Sequence, residues 1–157
     1  MEFQRLSVKD HSKMRIGIIV SDFNEIITSR LLEGARHALL EAGIRSENID
    51  IKRVAGAYEI PQAALRMAET GTWDALVALG CVIRGETSHY EIVANESSRG
   101  ITEAAMSTGI PISLGILTTE NTEQALDRSG GIHGNKGADA SLAAVKMAIL
   151  FQEIDIE

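Results

Sequence analysis

The sequence predicts an α/β protein, a three-layer α/β/α sandwich around a mainly parallel four-stranded sheet. Three observations lead there. Continuous apolar runs at 16–20 and 75–83 are what strands covered on both faces look like. Segments with apolar residues at helical spacing separate the runs, and alternating strands and helices imply parallel strands with helices on both faces. Gly43, Pro61, Gly71 and Pro111 punctuate the joins.

The elements follow in order. Ile16-Gly17-Ile18-Ile19-Val20 is the first strand. Over 25–42, Ile27, Leu31, Ala35, Ala38 and Ala42 recur at helical spacing, and Gly43 is a natural stop. A second strand with a more alternating pattern spans 49–55, and Gly56-Ala57-Tyr58 is a turn. Pro61 suits a first helical turn, and that helix carries Ile60, Ala64 and Met67 on one face before Gly71. The longest apolar run, 75–83, is the central strand. Ser88 and Glu91 form a capping box for a helix with Tyr90, Ala94, Ser97, Ile101 and Ala104 on one face. Pro111 opens a strand over 112–117, and Asn121 with Gln124 caps a short helix reaching Arg128. Residues 129–137 hold four glycines and are expected to be irregular. A last helix places Ala138, Leu142, Val145 and Ile149 on one side.

The chain reads as one domain, 1–157, with no linker, repeat or low-complexity segment. Residues 1–13 form a polar extension, either without fixed structure or adding a strand to a neighbouring subunit. Aromatics are only 4% of the residues, so the core must be built from small aliphatic side chains packed closely. The net charge of −7 argues against nucleic acid, which needs a basic face. It also means that an anionic substrate must be held by a few local cations or backbone N–H groups. The single Cys81 allows no internal disulfide and fits a reducing compartment. The first residues lack a signal-peptide pattern, and no apolar run approaches the ~20 residues of a membrane span. A cytoplasmic location is expected. One cysteine and four scattered histidines are too few for a metal cluster, and no dinucleotide glycine fingerprint appears, so neither a metal nor another cofactor is expected.

In an open parallel sheet, ligands bind beyond the carboxyl ends of the strands. Four segments are expected around one crevice there: Ser21-Asp22-Phe23-Asn24, Gly56-Ala57-Tyr58-Glu59, Ile83-Arg84-Gly85-Glu86-Thr87-Ser88-His89, and 114–118. Gly85 lets the backbone approach a ligand closely. Thr87 offers a hydroxyl, and the N–H groups of 86–89 at a helix start can bind phosphate. His89, in the first turn, suits proton transfer near neutral pH, with an idle surface histidine as the equal alternative. Phe23 is either a stacking platform for a planar ligand or a hydrophobic staple for the next helix. Glu59 either complements a helix start or accepts hydrogen bonds from a polyol. Arg128 and Lys136 are either ordinary surface cations or anion ligands.

Taken together and in order, these segments resemble the lumazine synthase family. The matching motifs are Ser21-Asp22-Phe23-Asn24, Gly56-Ala57-Tyr58-Glu59-Ile60-Pro61, Gly80-Cys81-Val82-Ile83-Arg84-Gly85-Glu86-Thr87-Ser88-His89-Tyr90, Gly115-Ile116-Leu117-Thr118 and His133-Gly134-Asn135-Lys136-Gly137. The resemblance as a whole runs from about residue 14 to 151, and Ile83-Arg84-Gly85-Glu86-Thr87 followed by His89 is quite specific. The resemblance implies a flavodoxin-like fold and a step of riboflavin biosynthesis. There, 5-amino-6-ribitylaminopyrimidinedione and 3,4-dihydroxybutanone 4-phosphate condense to 6,7-dimethyl-8-ribityllumazine, phosphate and water. It implies that Phe23 stacks on the pyrimidine while backbone groups of Cys81, Val82 and Ile83 bind its edge. Ala57, Tyr58 and Glu59 would take the ribityl chain, and Glu86, Thr87 and Arg128 the phosphate. His89 would shuttle protons, Lys136 would lie near the ribityl chain or phosphate, and Leu114 would line the pyrimidine pocket.

The resemblance further implies pentamers, in some members assembled as icosahedral shells, with Arg128 and Leu114 reaching the site of an adjacent subunit. An association with riboflavin synthase belongs to the same set of expectations. The uninterrupted loop at 129–136 is compatible with a shell. Three positions depart from the family pattern: Leu114 replaces a frequent aromatic, Tyr58 a frequent tryptophan, and Ile132 a frequent basic residue. Rival readings are a non-catalytic lumazine- or flavin-binding module, a purely shell-forming subunit, and a related enzyme that uses lumazine as substrate. A functioning phosphate site separates the first reading from all three.

Overall fold

The computed structural model describes residues 11–156. Strands β1 (Ile16–Ser21), β2 (Ile49–Val54), β3 (Ala75–Ile83) and β4 (Ile112–Thr119) form one parallel sheet in the order β2-β1-β3-β4. This is the flavodoxin-like arrangement expected. Most of the extension at 1–13 lies outside the described residues, and so does the strand proposed for it.

Alternation along the two inner strands divides the core. Ile16, Ile18 and Val20 with Ala75, Val77, Leu79 and Cys81 face one layer; Ile19 with Leu76, Ala78 and Val82 face the other. The first layer is α1 (Glu25–Glu41) and α5 (Lys136–Ile156), with Ala125 of α4 (Thr122–Arg128) joining it. The second is α2 (Ile60–Glu69) and α3 (His89–Thr108). β1 and β3 are buried along almost their whole length, as continuous apolar runs should be. β2 is an edge strand and largely open, which explains its alternating pattern.

Helix ends follow local chemistry. After α1, Gly43 takes φ +94°; its N–H donates to Leu40 O and that of Ile44 to Leu39 O, both at 3.1 Å. The two bonds make a Schellman motif, satisfying carbonyls the helix leaves open. Asn121 Oδ1 accepts from Gln124 N at 2.8 Å, as expected, while the Gln124 side chain accepts from Glu120 N at 2.9 Å.

Four expectations need correction. Ser88 has helical backbone angles and makes no side-chain cap bond, and Glu91 turns instead to Arg84, so the capping box does not form. β4 extends to Thr119 because its ladder with β3 continues to Ile83–Thr119. Residues 129–135 fold as a small antiparallel hairpin, β5 (Ser129–Gly131) with β6 (Gly134–Asn135), since glycine permits its tight turn.

The buried face of α5 is the fourth. Its buried residues are Gly137, Ala140, Ser141, Ala144, Val145 and Ala148; of the expected Ala138, Leu142, Val145 and Ile149, only Val145 is among them, Ile149 packs on the first core while half-buried, and Ala138 and Leu142 are half-buried. Small size selects this face. A Cβ on Gly137 would stand 2.1 Å from Leu31 O, so α5 lies almost against the α1 backbone and larger side chains are displaced to the flanks. Asn135 locks the join: its Oδ1 accepts from Gly137 N and Ala138 N at 2.8 and 3.1 Å, and its Nδ2 donates to Arg30 O at 3.0 Å.

Candidate active site

The sheet opens where its ladders end. β1 pairs with β3 only as far as Val20–Leu79, whereas β3 stays paired with β4 to Ile83–Thr119. The carboxyl half of β3 therefore has a free edge on the β1 side. The chain leaves β1 on one side and enters α3 on the other, and a cleft of about 690 Å³ lies between them. In an α/β sheet this is the place where the strand order switches direction.

Three of the four expected segments meet there. The β1–α1 turn contributes Phe23, which is 71% exposed. That exposure removes the staple reading, because a staple is packed against its own helix. Asp22 N and Phe23 N donate to Val54 O and Ala55 O at 2.8 and 3.0 Å, so the turn is tied to β2 while the ring projects over the cleft. The β2–α2 turn contributes Ala57, Tyr58 and Glu59 in a 3₁₀ turn. The tip of β3 contributes Cys81, Val82 and Ile83, and the loop after it Gly85, Thr87 and His89.

Backbone direction along β3 alternates. Arg84 N donates to Thr119 O at 2.8 Å, toward β4, and Cys81 O accepts from Asn24 Nδ2 at 2.9 Å, toward β1. By that alternation Ile83 presents its backbone groups to the cleft, as Cys81 does, while those of Val82 point to β4. Val82 borders the cleft through its side chain. The Cys81 thiol is buried, and desolvation pushes its pKa up to about 12, so it stays neutral and serves as packing.

The loop 84–88 brings the chain into α3. His89 N approaches Thr87 Oγ1 at 3.3 Å, and the N–H groups of a helix's first turn lack intrahelical partners. A Cβ on Gly85 would meet nothing within 4 Å, so a ligand has open access to that backbone. Glu86 belongs to this loop without lining the cleft. Arg84 stacks over the Tyr90 ring at 4.3 Å and pairs with Glu91 and, at 2.8 Å, with Glu120. The Glu91 carboxyl is held below its usual range mainly by its hydrogen bond from Arg84.

The fourth segment does not join this cleft. Residues 114–118 start one residue pair before mid-strand, with Leu114 opposite Ala78, and they line other hollows on the β4 side. One of about 260 Å³ gathers Leu114, Arg128 and Lys136. Arg128 Nη1 donates to Gln124 O at 3.1 Å and Lys136 pairs with Asp139 at 3.5 Å. One protomer thus divides the expected site residues between two places. The expectation of a single crevice within a chain fails because the unbroken β3–β4 ladder closes that side of the sheet.

Sequence reasoning missed Ala55, Tyr90, Ile92 and Val93, which also line the cleft. The signal for Val93 was present: it lies one helical turn after His89 and shares its face. Tyr90 was read as a core residue, and it does pack on the second core while edging the cleft. Among the described residues no group of three or more His, Cys, Asp or Glu could hold a metal ion, and no helix is long and apolar enough to cross a membrane. A model of the 6,7-dimethyl-8-ribityllumazine synthase family matches residues 13–152, nearly the whole chain, and the protein belongs to that family.

Proposed function

We propose that this chain makes 6,7-dimethyl-8-ribityllumazine by condensing 5-amino-6-ribitylaminopyrimidinedione with 3,4-dihydroxybutanone 4-phosphate, releasing phosphate and water. The observation that carries the reading is the meeting, in one cleft, of the exposed Phe23 ring, the Glu59 carboxylate and the loop from Gly85 to His89. A planar ring lies on Phe23, with its polar edge toward the backbone of Cys81 and Ile83. The ribityl chain runs to Ala57, Tyr58 and Glu59. The phosphate meets Thr87 and the backbone beside Glu86, where N–H groups at a helix start favour an anion.

Each step then has a protein group at hand. The pyrimidine amine attacks the ketone and water leaves as the imine forms. A proton is taken from the carbon between the imine and the phosphate-bearing carbon, and phosphate leaves with the C–O electron pair as a double bond forms between those two carbons. The enol so formed takes up a proton to become a ketone, the ribitylamino nitrogen attacks that carbonyl, and a second water leaves as the second ring closes. His89, at the phosphate end, is placed to take and return protons. Holding two reactants side by side accounts for much of the remaining acceleration, up to ~7–11 kcal/mol in favourable cases.

The site is completed by a neighbour. Arg128 and Leu114 lie away from the cleft of their own protomer, which supports their reaching the cleft of the adjoining one in a ring of five. Arg128 there adds the charge that the phosphate needs. Mixing the purified protein with both substrates and following lumazine absorbance together with free phosphate tests the reaction. The two signals rise in equal amounts if it is correct. Ring binding without phosphate release would make the chain a binding module instead.

A further inference from the structure

Asn24 is the one non-glycine residue with a left-handed backbone among the described residues, at φ 60° and ψ 48°. Asparagine tolerates that region better than most side chains, yet a residue held there is worth a reason. Three bonds supply it. The Asn24 carbonyl accepts from Ile27 N at 2.9 Å and Thr28 N at 3.0 Å, which starts α1. Its side-chain Nδ2 crosses to β3 and donates to Cys81 O at 2.9 Å. That carbonyl lies just past the last β1–β3 pair, Val20–Leu79, where β1 no longer supplies a donor. The amide of Asn24 takes the place of the missing strand N–H.

The consequence lies in the cleft. Phe23 immediately precedes Asn24, so the left-handed turn sets the direction in which the ring projects. Cys81 and Ile83 share the free edge of β3, so the same residue's side chain sets the plane of the peptide that follows Cys81. We propose that Asn24 is a positioning residue that fixes the Phe23 ring relative to the Cys81–Ile83 edge, and so governs recognition of the planar ring rather than of the phosphate. This deepens the proposed reaction and rests on it.

Asn24→Gly keeps the backbone angles at no steric cost and removes the amide. Asn24→Asp keeps size and left-handed tolerance but sets a carboxylate against the Cys81 carbonyl. Steady-state kinetics of the assembled protein are measured with each substrate varied in turn, together with Tm. In Asn24→Gly we expect KM for the aminopyrimidine to rise about fivefold, the effect of one lost neutral hydrogen bond. KM for the butanone phosphate should hold, and Tm should stay near wild type. Asn24→Asp should give a larger rise of the same selectivity. A merely structural role would lower Tm and reduce kcat without separating the two KM values. An unchanged aminopyrimidine KM in both variants, or equal rises for both substrates, overturns the inference while leaving the reaction in place. A wild-type protein that turns over neither substrate overturns the reaction, and the assignment of Asn24 with it.

Discussion

The two edges of β3 behave differently at their carboxyl ends. On the β1 side the ladder stops at Leu79 and an apolar-walled cleft of about 690 Å³ opens, with an aromatic face and a histidine in it. On the β4 side the ladder runs to Ile83 and leaves smaller hollows of about 370 and 260 Å³, the latter holding Arg128 and Lys136. Ladder length therefore decides where a ligand can enter. One edge carries an apolar pocket with an aromatic wall; the other carries Arg128 and Lys136, held by Gln124 and Asp139. The proposed substrate pair, planar at one end and anionic at the other, would draw on both, which a single protomer keeps apart.

The hardest test falls on the cleft side. His89→Ala should slow turnover ~10²–10⁴-fold while leaving detectable activity, the range for loss of one acid–base group. A single-turnover assay that finds an unchanged rate would remove His89 from the chemistry and leave the cleft as a binding site only. The next test joins the two edges. Phe23→Ala and Arg128→Ala assemblies should each lose activity, the latter ~10²–10³-fold, as expected for a donor aimed at developing charge. Co-assembled subunits should recover about a quarter of wild-type turnover, the share of intact sites that random mixing gives in a ring. If mixing restores nothing, Phe23 and Arg128 do not serve one shared site.

A smaller effect isolates backbone access. The space around Gly85 is empty of protein, so Gly85→Ala should fold normally and keep its Tm. Its methyl group would stand where the ligand approaches, and kcat/KM should fall ~10-fold through misplacement of the reactants. A fall in Tm of similar severity would mean that Gly85 serves the loop's own conformation.

How far the sequence foretold this division depends on the kind of signal. The buried strands and their helices were legible because continuous apolar runs and helical spacing are local patterns. Phe23, Glu59 and His89 were legible as cleft residues because each follows a strand end, and topology alone brings those ends together. The α5 face was legible only in part: Val145 was in place, but hydropathy favours Leu142, whereas contact with α1 favours Gly137 and Ala140; helix separation is not written in one segment. Leu114, inside the expected strand at 112–117, was grouped by topology with the strand ends, whereas its ladder holds it opposite Ala78 and outside the cleft of its own protomer. The Asn24–Cys81 bond spans 57 positions, and no local pattern announces it.

The opposite end of the sheet provides the control for all of this. At the amino ends of the strands Asp50 accepts from Trp73 Nε1 at 2.7 Å and from Arg15 Nη2 at 2.8 Å. The indole bond first, then Arg15 and the nearby Lys52, hold the Asp50 carboxyl below its ordinary range. A carboxyl whose pKa is lowered by folding stabilises the protein above the unfolded value and loses that contribution as pH falls through the folded one. Asp50→Asn should therefore lower Tm at neutral pH by ~2–4 °C, the shift made by about one hydrogen bond's net worth in a chain of this size. The gap from wild type should narrow as pH drops through the carboxylate range. Turnover at neutral pH should not change, because these bonds brace the end of the sheet away from the cleft. Loss of activity without the pH-dependent gap in Tm would show that the two ends are coupled, and that the ladder boundaries alone do not set the site.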